Sequence, residues 1–352
     1  MKFIDLFAGI GGFHLGFSKA GFECVMSSEI NQPCRDMYLK NHGVYPEGDI
    51  TKIDPSSVPD HDVLVAGFPC QPFSICGKKK GFDDIRGTMF FYICKILKEK
   101  NTKVAVLENV KFLLHHDGGR TFNVILKTLE ELGYYISYSL LNASNYGVPQ
   151  NRERLVIIAS KEKEFNFSEI STPIIDKPIL KNFLDKETDD TEYLNQEEYT
   201  LIDNPIKQQK SGLMFTGYRN KNIRVNGVRP NTEHLSRVHK QPNRIYSIEG
   251  THPTLPSQEV SGRFFIHSPK TNKVRKLTLK ECYRLMGFPD NFIIHDSKSE
   301  AYKQVGNSVC VPMVYELAKQ VKKQILDNNR KDNNESKRYF AKTSPEQSEL
   351  LG

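Results

Sequence analysis

Cys70 stands between Pro69 and Gln71, at the end of the short aliphatic run Asp62 to Phe68. The run reads as a buried strand, and the prolines after it force a turn. A cysteine at the mouth of such a strand is placed for nucleophilic chemistry, because ligands of open α/β sheets sit beyond the carboxyl ends of the strands. Its bland reading is a small buried apolar residue, the commoner fate of a free cysteine. A second strand, Lys103 to Leu107, also ends in polar groups, Glu108 and Asn109. A strand-end acid on the same sheet edge as Cys70 makes a pair, which carries more weight than either residue alone. Arg152 and Arg154 precede a further strand, Leu155 to Ala159, and point to one face. Their alternative is a surface ion-pair cluster with Glu153, worth little energetically.

The elements that must position these groups begin at the first residues. Lys2 to Phe7 is a strand, Ala8-Gly9-Ile10-Gly11-Gly12 a glycine turn, and Phe13 onward a helix opening. This is the first unit of a nucleotide-binding α/β fold, although the third position of the dinucleotide fingerprint holds His14 instead of Gly. A second strand, Phe22 to Ser28, ends in Glu29, about 20 residues past the glycines, where a carboxylate accepts both ribose hydroxyls. NAD and S-adenosylmethionine both carry that ribose. Asn31 caps a helix to about Asn41. Asp49, after a short strand, is either an adenine contact or a turn cap.

Helices are expected over Thr88–Lys100, over Arg120–Leu132 closed by Gly133, over Lys276–Met286, and from Gly306-Asn307-Ser308-Val309 to about Leu326. Tyr134–Asn142 is another strand. Between the Cys70 turn and the first of these helices, Ile75 to Gly87 carries Lys78-Lys79-Lys80 and three glycines. This is a basic loop suited to closing on a phosphate backbone, or simply a solvated face.

From about Phe165 the chain turns polar and proline-interrupted. It then becomes basic and aromatic: only Glu233 is acidic between Gly212 and Ser247, a stretch holding Arg219, Arg224, Arg229, Arg237, Lys240 and Arg244. That asymmetry marks a nucleic-acid surface. The formal charge of +7 over 352 residues permits such a partner. Seven cysteines at scattered spacing read as reduced thiols and neither as a disulfide framework nor as a zinc site. No apolar run reaches the roughly 18 residues of a membrane span, so a cytoplasmic protein is expected. The stretch from Asp327 is polar and reads as disordered.

In this order the motifs resemble those of DNA (cytosine-5) methyltransferases of the small bacterial or phage type. They are Asp5-Leu6-Phe7-Ala8-Gly9-Ile10-Gly11-Gly12, Gly67-Phe68-Pro69-Cys70-Gln71-Pro72-Phe73-Ser74, Glu108-Asn109-Val110, Gln150-Asn151-Arg152-Glu153-Arg154, Arg284-Leu285-Met286-Gly287-Phe288-Pro289 and Gly306-Asn307-Ser308-Val309. The resemblance implies a doubly wound, mostly parallel α/β sheet over 1–175, completed by 300–326. A smaller irregular target-recognition domain with a connecting helix would occupy 176–299, leaving 327–352 as a tail.

It also implies S-adenosyl-L-methionine as cofactor, double-stranded DNA as partner, a monomer, and a possible cognate restriction endonuclease. Phe7 would stack on the adenine, Glu29 would bind the ribose and Asp49 the adenine amine. Gly9, Gly11, Gly12, Ile50, Pro69, Asn307 and Val309 would lie nearby. Ile30 replaces the family's frequent tryptophan and would cover the adenine without π-stacking.

On this resemblance Cys70 would add to C6 of cytosine and Glu108 would protonate N3. Arg154 would bind O2 with Arg152 alongside, and Asn109 and Gln71 would shape the Cys70 loop. Ser74, Cys76, Lys78 and Arg86 in the lid, with Arg244 and Thr254, would meet the DNA around a flipped base. RNA-directed relatives share these motifs. The rival from another class, an NAD-dependent oxidoreductase with an acyl-accepting Cys70, is opposed by the missing third glycine of this chain and by the Glu108 and Arg154 set. A catalytically dead DNA-binding regulator is opposed by the intact Cys70, Glu108 and Arg154.

Overall fold

The computed structural model describes residues 1–69, 88–170, 177–186, 193–220, 234–257 and 264–327. The aliphatic runs form strands buried on both faces, which is why they read as continuous apolar stretches. In chain order the elements are β1 (Lys2–Leu6), α1 (Gly12–Lys19), β2 (Glu23–Ser28), α2 (Gln32–His42), β3 (Val63–Gly67), α3 (Met89–Lys100) and β4 (Val104–Val110). Next come α4 (Arg120–Glu131), β5 (Tyr135–Asn142), β6 (Gln150–Asn151) and β7 (Glu153–Ser160). The first sheet runs β2-β1-β3-β4-β7-β5, and only β7 is antiparallel to its neighbours.

Alternation along the strands divides the core. Ile4, Leu6, Leu64, Ala66, Ala105 and Leu107 face α3 and α4 through Phe90, Ile93, Leu97, Phe122 and Ile125. Phe3, Val63, Val65, Val104 and Val106 face the other way, onto Phe13 and Phe17 of α1 and onto Val314, Leu317 and Val321. Helices on both faces of a mostly parallel sheet make the doubly wound architecture expected from the sequence.

The remaining elements are β8 (Tyr199–Lys207), β9 (Met214–Arg219), β10 (Arg244–Ser247), β11 (His252–Pro253), β12 (Phe265–Ser268) and β13 (Lys273–Lys276). Three helices follow: α5 (Leu279–Leu285), α6 (Lys298–Asn307) and α7 (Val311–Val321), the last running into a π-turn over Lys322–Leu326. A second sheet, β13-β12-β10-β9-β8, makes the expected irregular region more regular than its composition suggests. Strand β6 pairs with β11, so Gln150 and Asn151 tie the first sheet to the segment before Thr254.

Three expected boundaries move. Lys276 belongs to β13, not to a helix, because Thr278 and Glu281 form a reciprocal cap that starts α5 at Leu279. Asn307 ends α6 instead of opening the last helix, which begins at Val311 with Pro312 in its first turn. Before Asp49 there is a single bridge, Ser28 to Glu47, in place of a strand. The helices expected after Asn31, Thr88 and Arg120 are present, with Asn31 and Thr88 accepting backbone N–H groups as caps. Residues 328–352 lie outside the described residues.

Candidate active site

Adjacent strand ends bring the polar groups together. In the parallel pairing of β3 with β4, Gly67 stands opposite Glu108. A Cβ placed on Gly67 would lie 3.6 Å from Glu108 Oε2, so the carboxylate rests against the exit of β3. From β7, the neighbour on the other side, Arg154 brings its Nε to 3.0 Å from Glu108 Oε1, both side chains being 12–13% exposed. Arg154 also donates to the Glu153 carbonyl at 2.8 Å. The pair is therefore a largely buried site group, not a surface cluster with the Glu153 carboxylate.

Burial pushes Glu108 above the ordinary glutamate range, and the Arg154 and Arg152 charges pull it part of the way back. A carboxyl group so placed is suited to carrying a proton that it delivers. Asn109 is buried and donates from Nδ2 to Phe68 O at 2.8 Å, fixing the backbone two residues before Cys70.

The glycine turn lies at the next strand end. Phe7, half-buried, adopts φ 56°, Gly9 φ 56° and Gly11 φ 87°, so the chain doubles back between β1 and α1. Glu29 is held from two sides: Gly9 N–H donates to Oε2 at 2.9 Å and Asn31 N–H to Oε1 at 2.7 Å. Each oxygen retains a lone pair for another donor. Beside it Ile30 is 71% exposed, an unusual position for isoleucine unless something apolar covers it.

Space above Gly9 is open, whereas a Cβ on Gly12 would press on Ser308 and Val309, which brings the 306–309 segment against the turn. Val309 is buried and Asn307 exposed at the end of α6. Asp49 accepts Thr51 N–H at 2.9 Å as a cap, ahead of the buried Ile50, and that bond holds its carboxyl below the ordinary aspartate range. Pro69 is exposed.

Residues 1–323 match the family described as C-5 cytosine-specific DNA methylase. The chain is 40% identical over 327 residues to the Type II methyltransferase M.HhaI of Haemophilus parahaemolyticus, spanning 90% of this chain and 93% of that protein. It is 42% identical over 321 residues to M.HaeII of Haemophilus aegyptius, with 90% and 91% covered. The chain belongs to the C-5 cytosine-specific DNA methylase family.

This methylase also shares its fold with Spodoptera frugiperda DNMT2 (TM-score 0.64, 19% identity, 91% of this chain and 99% of that one). A methyltransferase encoded in an Escherichia coli prophage is comparable (TM-score 0.63, 21%, 92% and 99%). The family uses S-adenosylmethionine. The carboxylate oriented by Gly9 and Asn31, the exposed Ile30 and the open face of Gly9 suit a ribose with its attached adenine. The enzyme is a DNA (cytosine-5-)-methyltransferase.

Cys70, Gln71, Ser74, Cys76, Lys78 and Arg86 of the methylase lie outside the described residues. Among the described residues Cys24, Cys34, Cys94, Cys282 and Cys310 are free thiols. Burial pushes Cys24 and Cys34 up to about 12 and Cys310 to about 11, which makes them poor nucleophiles.

Arg152, expected alongside Arg154 at the substrate, instead turns both of its Nη groups to backbone carbonyls, while its buried Nε has no partner among the described residues. It is buried, and its Nη2 donates to Gly306 O at 2.9 Å and Ser308 O at 2.7 Å, its Nη1 to Leu255 O at 3.4 Å. The physical reason is that β6 ends before it, so Arg152 faces the 306–308 turn while Arg154 faces Glu108.

Thr254 donates to Asn151 O at 2.8 Å, and Leu255 N–H donates to Gln150 Oε1 at 3.1 Å. Gln150 Nε2 in turn donates to Leu285 O. Gln150, the first residue of its motif, thus bolts the end of α5 to the segment after Thr254. Arg244 is half-buried, its Nε donating to His239 O at 3.1 Å; Arg237 and Lys240 beside it are exposed.

Proposed function

We propose that this methyltransferase modifies C5 of cytosine within a specific double-stranded DNA sequence, through a transient bond from Cys70 to C6 of a base flipped out of the duplex. The observation that carries the reading is the Glu108–Arg154 pair at the exits of neighbouring strands, against Gly67 and three residues from Cys70. Cytosine C5 is a weak nucleophile. Adding a thiolate to C6 while a proton reaches N3 turns the ring into an enamine whose C5 is electron-rich.

Glu108, whose proton affinity burial raises, supplies the N3 proton. Arg154, which orients Glu108, also has the reach to meet the adjacent O2. Asn109 keeps the Phe68 carbonyl fixed, so the Cys70 turn leaves β3 in one direction. After C5 is alkylated, its proton departs to a base, N3 returns its proton to Glu108, the C5–C6 double bond re-forms and Cys70 leaves as thiolate. A duplex hides C5 and C6 in the stack, so extrusion at a cost of a few kcal/mol must precede these steps.

The cofactor residues are Phe7, Gly9, Gly11, Gly12, Glu29, Ile30, Asp49, Ile50, Pro69, Asn307 and Val309. S-adenosylmethionine bound there supplies an electrophilic methyl group. Glu29 binds the ribose diol, and Ile30 covers the adenine by apolar contact. Residues 1–175 and 300–326 form the catalytic unit and 176–299 read the DNA, with Thr254 near the flipped nucleotide and Ser74, Cys76, Lys78, Arg86 and Arg244 contacting the duplex. The protein works as a monomer in the cytoplasm, paired with a restriction endonuclease as the Type II names of its relatives suggest.

The test uses random-sequence duplexes carrying 5-fluorocytosine, with S-adenosylmethionine present. Fluorine cannot leave C5 as a cation, so elimination stalls and a denaturant-stable protein–DNA adduct is expected that Cys70→Ala abolishes. Absence of the adduct, under conditions where ordinary DNA is methylated, would overturn the covalent route.

A further inference from the structure

Two histidines lie beneath the glycine turn, and none of the chemistry above uses them. His14 occupies the position where a dinucleotide fold carries its third glycine. Its ring stacks on His42, the last residue of α2, with centroids 4.3 Å apart and planes 26° from parallel. His42 Nε2 lies 3.0 Å from Ile10 O, so the ring N–H donates to the carbonyl at the centre of the turn. On the far side His14 Nδ1 meets Tyr38 Oη at 2.8 Å.

Gly11 must be glycine for two reasons that agree: its φ is 87°, and any Cβ would collide with the His42 ring. The end of α2 is itself fixed, because Asn41 donates to Ile293 O at 3.0 Å and accepts Ile293 N–H at 2.7 Å. Partial burial pushes His14 down to about 4 and His42 below the ordinary histidine value.

We infer that His42 is a positioning residue for the cofactor: its hydrogen bond to Ile10, backed by the His14 stack, holds the turn so that Gly9 N–H stays on Glu29. This rests on the reading of Glu29 as the ribose acid. The Ile10 carbonyl shares its peptide unit with Gly11 N–H, which donates to Ala8 O at 2.9 Å, and the Ala8 carbonyl shares its own unit with Gly9 N–H, so this bond links the two contacts. When the Ile10 carbonyl is released, its peptide unit turns, Gly11 N–H loosens from Ala8 O, the Ala8–Gly9 unit follows, and the Glu29 carboxylate loses one of its two anchors. Sequence motifs alone do not single out His42, since it lies outside every motif and reaches the turn only through the packing of α2.

The test compares His42→Phe, which keeps a stacking ring, with His42→Gln, which keeps a donor at the same reach, and with Glu29→Ala. Dissociation constants are measured by calorimetry for S-adenosylmethionine and for methylthioadenosine, which retains adenine and ribose but lacks the amino-acid end. Unfolding midpoints of the ligand-free proteins are recorded alongside.

The expected result is that H42F binds both ligands roughly five- to tenfold more weakly, the size of one neutral hydrogen bond removed. H42Q should recover most of that affinity, and the ligand-free midpoints of both should stay close to wild type. Wild-type affinity in H42F while E29A binds weakly would overturn the role of His42 alone. Wild-type affinity in E29A would overturn the ribose reading beneath it. A loss that H42Q fails to restore, accompanied by a lowered ligand-free midpoint, would make His42 a packing residue and overturn the inference. So would a loss seen with S-adenosylmethionine but not with methylthioadenosine.

Discussion

Asn109 joins β4 to the exit of β3 through one buried hydrogen bond, Nδ2 to the Phe68 carbonyl, at 2.8 Å. Its Oδ1 accepts Val110 N–H at 2.9 Å, so the amide is used at both ends and its orientation is settled by its partners. The two strands therefore hold Glu108 and the Phe68 carbonyl, two residues before Cys70, in a fixed relation.

Asn109→Ala leaves a buried carbonyl without its donor, at a cost of about 1–3 kcal/mol. Single-turnover methylation should slow by roughly 10- to 100-fold, the same energy expressed as a rate. Calorimetric affinity for S-adenosylmethionine should be unchanged. Asn109→Asp should be worse, since it sets a carboxylate against the carbonyl. A defect confined to cofactor affinity would count against the role assigned to Asn109.

Glu108 must carry a proton to deliver one to N3, and burial raises its pKa. The rate should therefore be high below that raised value and fall as pH rises through it, giving an alkaline limb in the profile of kcat/KM. Glu108→Gln, which presents an amide that cannot deliver the proton, should lose roughly 10²- to 10⁴-fold in kcat together with this limb. A profile whose alkaline limb survives unchanged in the variant would assign it to another group.

Asp5 predicts a stability effect. It is fully buried among β1, α1 and α2, and neither carboxylate oxygen has a well-formed hydrogen bond, the His14 backbone and the Tyr38 hydroxyl relieving it only in part. Burial, and then the nearby Glu29 charge, push it well above the ordinary aspartate range. The folded state thus holds this proton to higher pH than the unfolded chain does. The stability linked to it is complete below the unfolded value near 4, and it is lost as pH rises toward the folded value. Asp5→Asn removes this loss. Its denaturant midpoint, relative to wild type, should be higher at pH 8 than at pH 4.5; an equal difference at both pH values would contradict the linkage.

Arg237 and Lys240 are exposed in the segment that leads into β10, whereas Arg244 spends its Nε on the His239 carbonyl. Replacing Arg237 and Lys240 together with alanine should weaken duplex binding and lower the slope of log K against log salt by about 2, one unit for each phosphate no longer neutralised. Binding titrations at several salt concentrations would show it. An unchanged slope would assign phosphate neutralisation to other residues.

Much of this site was legible because its information is local. A glycine turn after a strand, an acid about 20 residues later and a proline-flanked cysteine after an aliphatic run each need only near neighbours to be recognised. A cap at Asn31, the amphipathic pattern over 88–100 and the stop at Gly133 likewise located three helices. The boundaries that moved depended on distant partners. Lys276 joins β13 because β12 is there to pair with it, and Arg275 finds the buried Glu281 from that strand.

The residue types and their order alone determined that this chain builds a doubly wound sheet in which Glu108 ends one strand and the neighbouring strand stops three residues before Cys70. Only the tertiary structure decided what each polar group does. It turned Arg154 toward Glu108 and Arg152 toward the carbonyls of Gly306 and Ser308, although the two stand two residues apart in one motif. It also brought His42 under a turn some thirty residues away. Hydrogen bonds are directional and reach about 3 Å. The partner a side chain finds is therefore set by which elements pack beside it, information that spacing along the chain does not contain.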